Sequence, residues 1–304
     1  MNKFHGCYPT MITPFRENGE VDYDAAGSLV DWYIEKHADG IFAVCQSSEM
    51  FFLTKEEQLK LARTVVERAD GRIPVVVSGH IEDDIDEGIE GLARMAETGA
   101  DAVVLVSNRI AGKDEGEDVF IKNAEKIFSQ LPDVTFGLYE CPYPYLRLLS
   151  DEFLSYAAKE GKLHFLKDVS CSQTKEAARA GIVRGSGLSL FNANTSTLLG
   201  SLQAGYSGYN GVMANFHIDL YSWLYRNFSK EPETAAELQD FLTLAAVIEA
   251  RAYPISAKWY QNEYGVKMTL HTRSKDPSLF NENGRHEIEA LKRMEDKWRE
   301  RLGL

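Results

Sequence analysis

A lysine inside an apolar run is costly to bury as a cation, and LHFLKDV (163–169) carries one, Lys167. It can pair with Asp168 or another acid, or snorkel at a strand end. It can equally be a desolvated amine with a lowered pKa, able to attack a carbonyl and form a Schiff base. Tyr139 closes VTFGLY just before ECPYPY. Such a ring is either core with a satisfied hydroxyl, or a proton carrier if a neighbour lowers its pKa from about 10. AVCQSSEM (43–50) leaves an apolar run directly for Gln46, Ser47, Ser48 and Glu49. Hydroxyls and consecutive backbone N–H groups can hold a carboxylate there, or merely cap the helix that follows. Arg109, just past DAVVLVS, reads as a solvated loop cation or as a ligand for a second carboxylate.

These residues all stand at the ends of short β-branched runs. The runs are GCYPTMIT (6–13), GIFAVC (40–45), IPVVVSG (73–79), DAVVLVS (101–107), VTFGLYE (134–140), LHFLKDV (163–169), SGLSLFN (186–192) and YNGVMAN (209–215). Amphipathic stretches lie between them. In residues 22–38, Ala26, Leu29, Val30 and Tyr33 share one helical face, and Thr54 with Glu57 opens the next stretch as a capping box. Eight such βα units predict an α/β protein, a (β/α)8 TIM barrel over residues 1–228. A doubly wound sheet would want G-x-G-x-x-G after the first strand, and 6–20 has none. Residues 229–304 are mostly helical in pattern and predict a C-terminal extension packed on the barrel. The barrel rule adds Thr13, Ser78, His80, Asn192, Asn194, Asn210 and Asn215 to the strand-end candidates.

The 304 residues carry a formal charge of −13 and 44% hydrophobic residues, the balance of a soluble globular protein. Such acidity argues against nucleic acid as a partner, since phosphates would be repelled. No apolar stretch nears the roughly 20 residues of a membrane span. The start, MNKFHGCYPTMITPF, lacks the layout of a signal peptide. Cys7, Cys45, Cys141 and Cys171 form no C-x-x-C pair and read as reduced cysteines in a cytoplasmic protein. The histidines have no H-x-x-x-H spacing, so no metal site is indicated, and neither G-x-S-x-G nor a Walker-type loop occurs.

Five motifs in order resemble the dihydrodipicolinate synthase / N-acetylneuraminate lyase family of class I aldolases. They are TPF with NGEVD (13–22), CQSSE with LTKEE downstream, YECP, FLKDVS, and AGYSGYNGVMAN. The resemblance implies a (β/α)8 barrel, a homo-oligomer (dimer or tetramer), a 2-oxo acid substrate such as pyruvate, and no cofactor. It makes Lys167 the Schiff-base lysine, Tyr139 the proton-transferring phenol and Ser47 a carboxylate-binding hydroxyl, with Gln46 and Ser48 beside it. The carbonyl of Asn210 would lie near the catalytic centre, and Glu49 would be structural.

Departures from the family pattern fall on the second half of the reaction. Gln46 stands where the family has a relay hydroxyl, and Ser48 where it has a glycine. Arg109 aligns with a relay tyrosine, Pro144 with a substrate-binding arginine (Arg147 lies nearby), and Asn194 with the acidic residue of sialic acid lyases. The expectation is a lyase, an aldolase or dehydratase acting on pyruvate or a 2-oxo sugar acid through a Lys167 imine. The alternatives are dihydrodipicolinate synthase activity itself, or a non-catalytic 2-oxo acid or sugar acid binding protein.

Overall fold

In a computed structural model that describes residues 3–304, the eight runs become eight parallel strands in the order β1-β8-β7-β6-β5-β4-β3-β2. They are β1 (Gly6–Cys7), β2 (Ile41–Ala43), β3 (Val75–Val77), β4 (Ala102–Val106), β5 (Phe136–Tyr139), β6 (Phe165–Asp168), β7 (Ser189–Asn192) and β8 (Gly208–Tyr209). A parallel bridge between Thr10 and Phe42 closes the sheet between its first and second strands. The ladder of β1 is short because Pro9 has no N–H to donate, although its carbonyl accepts from Phe42.

A helix follows each strand: α1 (Tyr23–Glu35), α2 (Lys55–Ala69), α3 (Ile85–Ala96), α4 (Glu117–Gln130), α5 (Asp151–Lys159), α6 (Gln173–Val183), α7 (Leu198–Ala204) and α8 (Ala214–Asn227). Ala26, Leu29, Val30 and Tyr33 are the buried face of α1, as their spacing predicts. Thr54 and Glu57 form the reciprocal capping box that starts α2. Two runs give much less strand than the sequence predicts, GCYPTMIT only Gly6–Cys7 and YNGVMAN less still. YNGVMAN contributes only Tyr209 to β8, and from Ala214 the chain is already helical. Asn215 turns inward there, donating to the Thr10 and Val212 carbonyls and accepting from Tyr33.

The extension comprises α9 (Pro232–Ala245), α10 (Ile255–Tyr264) and α11 (Glu282–Leu302). It docks mainly on α8, through buried Glu295 against His217 at 2.7 Å and Arg299 against Asp219 at 2.6 Å. FLTLAAVIEARAYPISAKWY is not one helix. It breaks after Ala245 into a 3-10 turn (Ala246–Ala250) and resumes at Ile255. The residue before a proline is disfavoured in the helical region, so Tyr253-Pro254 is the local reason for the break.

Inside the barrel, residues alternate in and out with the period of a strand. Phe165 and Lys167 face in, whereas Asp168 faces the helices. Tyr8, Phe42, Phe165 and Phe191 form an aromatic layer across the interior, with Phe165 and Phe191 stacked at 4.4 Å. Gly40 makes room for that layer, because a Cβ there would collide with the Tyr8 ring.

Candidate active site

Lys167 lies directly above the aromatic layer. The β5–β6 register pairs Tyr139 with Lys167, so both side chains enter the barrel mouth side by side. The Lys167 Nζ sits 4.6 Å from the Tyr139 ring centre and 5.7 Å from that of Phe42. Among the described residues no carboxylate forms an ion pair with it. Pairing with Asp168 is excluded by the strand alternation. That carboxylate points outward to Arg179 at 2.8 Å, and takes further hydrogen bonds from Tyr206 and the Ser170 N–H. Arg179 in turn holds Glu140 at 2.6 Å, so the buried acids at the ends of β5 and β6 neutralise an arginine of α6.

Burial without a bonded counter-ion pushes the Lys167 amine down to about 8, against opposing pulls from Cys45, Cys141 and Glu249. At pH 7 roughly one molecule in ten then carries a neutral amine, against about one in three thousand for an ordinary lysine. Lys258 in α10 is also brought to about 8 by burial, but it is bonded to Glu49 at 2.8 Å and to the His271 carbonyl at 2.6 Å. Of these two lysines, only Lys167 has its amine open to a cavity.

That cavity measures about 540 Å³. Its walls include Gln46, Ser47, Tyr139 and Lys167 from the barrel, Asn194 after β7, and Glu249, Tyr253, Ser274 and Lys275 from the extension. Tyr139 donates to Gln46 Oε1 at 3.1 Å, and the Cys141 thiol approaches the same oxygen at 3.6 Å. Desolvation, reinforced by the nearby thiols, raises the Tyr139 phenol well above its usual range. It is therefore a hydrogen-bond donor at neutral pH, and its proton rests on an amide oxygen. Ser47 is 8% exposed and donates to Thr10 Oγ1 at 3.1 Å, with the Tyr253 hydroxyl interacting with both. Ser47 and Tyr253 line the cavity that holds Lys167, and their hydroxyls can bind a carboxylate.

Other sequence candidates take different places. Ser48 does not reach the cavity, for its hydroxyl accepts from the Cys45 N–H and donates to the Met11 carbonyl at 2.6 Å. It is a turn-closing residue, not a ligand. Glu49 adopts a left-handed conformation (φ 59°) and accepts from Lys258, Thr272, and the Arg273 and Ser274 N–H groups. It is structural, as expected, and ties the 45–49 loop to the extension. Arg109 lies outside the cavity, paired with Asp83 and resting 5.5 Å from the Phe51 ring. Its expected role as a pocket cation is not what the fold provides. Asn210 is fully buried and donates to the Tyr8 carbonyl, leaving Gly211 and Val212 to line the cavity.

Thr13, Ser78, Ser107, Asn108, Asn192 and Asn215 likewise spend their polar groups on the scaffold. His80 accepts from the Val106 N–H and is held neutral, its pKa lowered to about 3 by burial. Among the described residues no three His, Cys, Asp or Glu side chains gather as a metal site would need. Glu249, Tyr253, Ser274 and Lys275 escaped sequence reasoning because they lie in a stretch read only as helical. The Tyr-Pro dipeptide was the one signal that a helix must stop there.

Residues 3–291 match the model of the dihydrodipicolinate synthetase family. The 4-hydroxy-tetrahydrodipicolinate synthase of Coxiella burnetii is 27% identical over 271 residues, covering 86% of this chain and 89% of that one. A prophage protein of the dihydrodipicolinic acid synthase family from Escherichia coli K12, solved with pyruvate, superposes with a TM-score of 0.85 at 20% identity, over 96% and 99% of the two chains. The chloride-inhibited dihydrodipicolinate synthase of Acinetobacter baumannii, also solved with pyruvate, gives 0.84 at 23%, over 95% and 98%. No helix among the described residues is long and apolar enough to cross a membrane. The barrel, its helical extension and a family match over nearly the whole length lead to one conclusion: the chain belongs to the dihydrodipicolinate synthetase family, as a distant member.

Proposed function

We propose that this protein is a class I lyase that forms a Schiff base between Lys167 and pyruvate or a 2-oxo sugar acid. The observation that carries the reading is Lys167 itself, buried, without an ion-pair partner among the described residues, open to the cavity and lowered to about 8. Its neutral amine adds to the 2-oxo carbon. Loss of water leaves an imine that draws electrons from the neighbouring bonds. In this reading Tyr139 donates to the departing carbinolamine oxygen, and the Ser47 and Tyr253 hydroxyls receive the substrate carboxylate. Pyruvate in two solved family members supports a 2-oxo acid as ligand. Free cysteines support a reducing, cytoplasmic setting. We take the assembly to be a homo-oligomer, on the family resemblance.

The test is incubation with pyruvate and borohydride, then peptide mass spectrometry. A reduced pyruvyl adduct on Lys167 is expected, with a trapping rate that rises with pH up to about 8. No adduct at any pH would refute the reading. One observation favours a second reading, a non-catalytic 2-oxo acid binder: the Tyr139 proton ends on the amide oxygen of Gln46. A binder would be stabilised against heat by pyruvate while leaving its methyl protons unexchanged in heavy water.

A further inference from the structure

The extension places a carboxyl group in the cavity that holds Lys167. Glu249, in the 3-10 turn Ala246–Ala250, lines that cavity, and among the described residues no hydrogen-bond or ion-pair partner holds its carboxylate. Lys167, Lys275, Cys171, Tyr139 and Tyr253 line the same cavity, and the charge of Glu249 acts on Lys167, Cys171, Tyr209, Tyr221 and Tyr253. Tyr139, the other acid beside Lys167, donates to Gln46 Oε1, an oxygen with no proton to hand on. We propose that Glu249 is a catalytic acid–base group of this protein, carrying the proton to and from C3 of the substrate imine.

The inference rests on the reading of Lys167 as the imine-forming amine. The Glu249 carboxylate takes a proton from the methyl carbon of the pyruvyl imine. The C–H pair becomes the C2=C3 bond, and the imine pair moves onto nitrogen, giving an enamine and a protonated Glu249. Returning the proton to C3 restores the imine. If the enamine instead attacks an aldehyde, the same acid protonates the new C4 oxygen, and aldol cleavage is the reverse. No oxidant or further reactant is required. Burial also raises the Glu249 carboxyl to about 7, so its acid and base forms coexist at neutral pH.

The experiment follows deuterium exchange into the methyl group of pyruvate by NMR, with borohydride trapping of Lys167 measured in parallel. Wild-type protein, Glu249→Gln and Glu249→Asp are compared. Glu249→Gln is expected to trap pyruvate within about threefold of wild type but to exchange its protons about 10²–10⁴-fold more slowly. It should also lose the rising limb of exchange near pH 7, and Glu249→Asp should recover part of the rate. Exchange within about threefold of wild type in Glu249→Gln would overturn the proposal. So would loss of trapping together with exchange, which would make Glu249 a residue that only tunes the lysine. Wild-type protein that fails to trap pyruvate would sink the Lys167 reading first, and this one with it.

Discussion

Replacing Lys167 by methionine should make the protein more stable at neutral pH, and by an amount the structure sets. Methionine has a similar length and no charge, and it adapts to irregular packing. In the folded chain the amine has a pKa of about 8, against an ordinary 10.5 when unfolded. Between those values the unfolded state binds more protons, so wild-type stability rises with pH across that window. Below pH 8 the full penalty applies, about 3 kcal/mol at pH 7. By pH 10 it has shrunk to below about 1 kcal/mol. Urea denaturation of wild type and Lys167→Met at pH 7, 8.5 and 10 measures the difference directly, and using a difference cancels the other groups that titrate. The advantage of methionine should be largest at pH 7 and fade as pH rises. A difference that does not change with pH, or a variant less stable at pH 7, would show that burial does not lower the pKa of this amine. The same penalty, read as function, is the free energy that keeps a nucleophile ready at the cavity floor.

Glu49→Ala should destabilise by about 3–5 kcal/mol, because it leaves the Lys258 ammonium buried without its partner. Chemical denaturation checks the magnitude, and faster amide exchange confined to 271–274 would locate the loss. Gln46→Leu removes the acceptor of the Tyr139 hydroxyl and should cost about 1–3 kcal/mol by thermal or urea unfolding. It should still permit borohydride trapping at Lys167. Arg109→Ala should shift the KM for an aldehyde co-substrate modestly, through the Phe51 wall, while leaving pyruvate trapping unchanged. A lost adduct would mean that Arg109 reaches the substrate after all.

Lys167, Tyr139 and Ser47 were legible because strand periodicity and the barrel rule assign a direction and an end to each side chain. Once β6 is recognised, alternation alone sends Lys167 inward and Asp168 outward. The interposed Arg179 could not be foreseen, since it comes from α6, 11 residues later, and a helix face gives no depth. Arg109 misled for a related reason. Its position at a strand end is right, but the chain coils at once into the short helix Ser107–Ile110, and the guanidinium pairs with Asp83. Ser48 looked like a ligand because hydroxyls in a row look alike in sequence. Only the turn geometry shows that one of the pair is spent on the Met11 carbonyl.

The extension was legible as helices but not as part of the site. Its last helix docks on α8 through the buried His217–Glu295 hydrogen bond and the Asp219–Arg299 ion pair, and the broken segment between α9 and α10 lines the cavity at the barrel mouth. Glu49 then fixes the other lip, by drawing Lys258 and the 272–274 backbone onto the loop that carries Gln46 and Ser47. One carboxylate thus couples the two halves of the cavity. Gln46 sits three residues before the anchored Glu49, so its amide is held where the resemblance would put a relay hydroxyl. Glu249 lines the same cavity and supplies an ionisable oxygen there, while the Tyr139 hydroxyl donates to the Gln46 amide oxygen. If Glu249 carries the proposed proton transfer, a hydroxyl restored at position 46 should lessen the need for its carboxyl. Gln46→Thr combined with Glu249→Gln tests this in a double-mutant cycle of methyl-proton exchange. If the two are complementary, the hydroxyl should recover at least about tenfold of the exchange lost with the carboxyl. Strictly additive effects would mean that the two residues act independently.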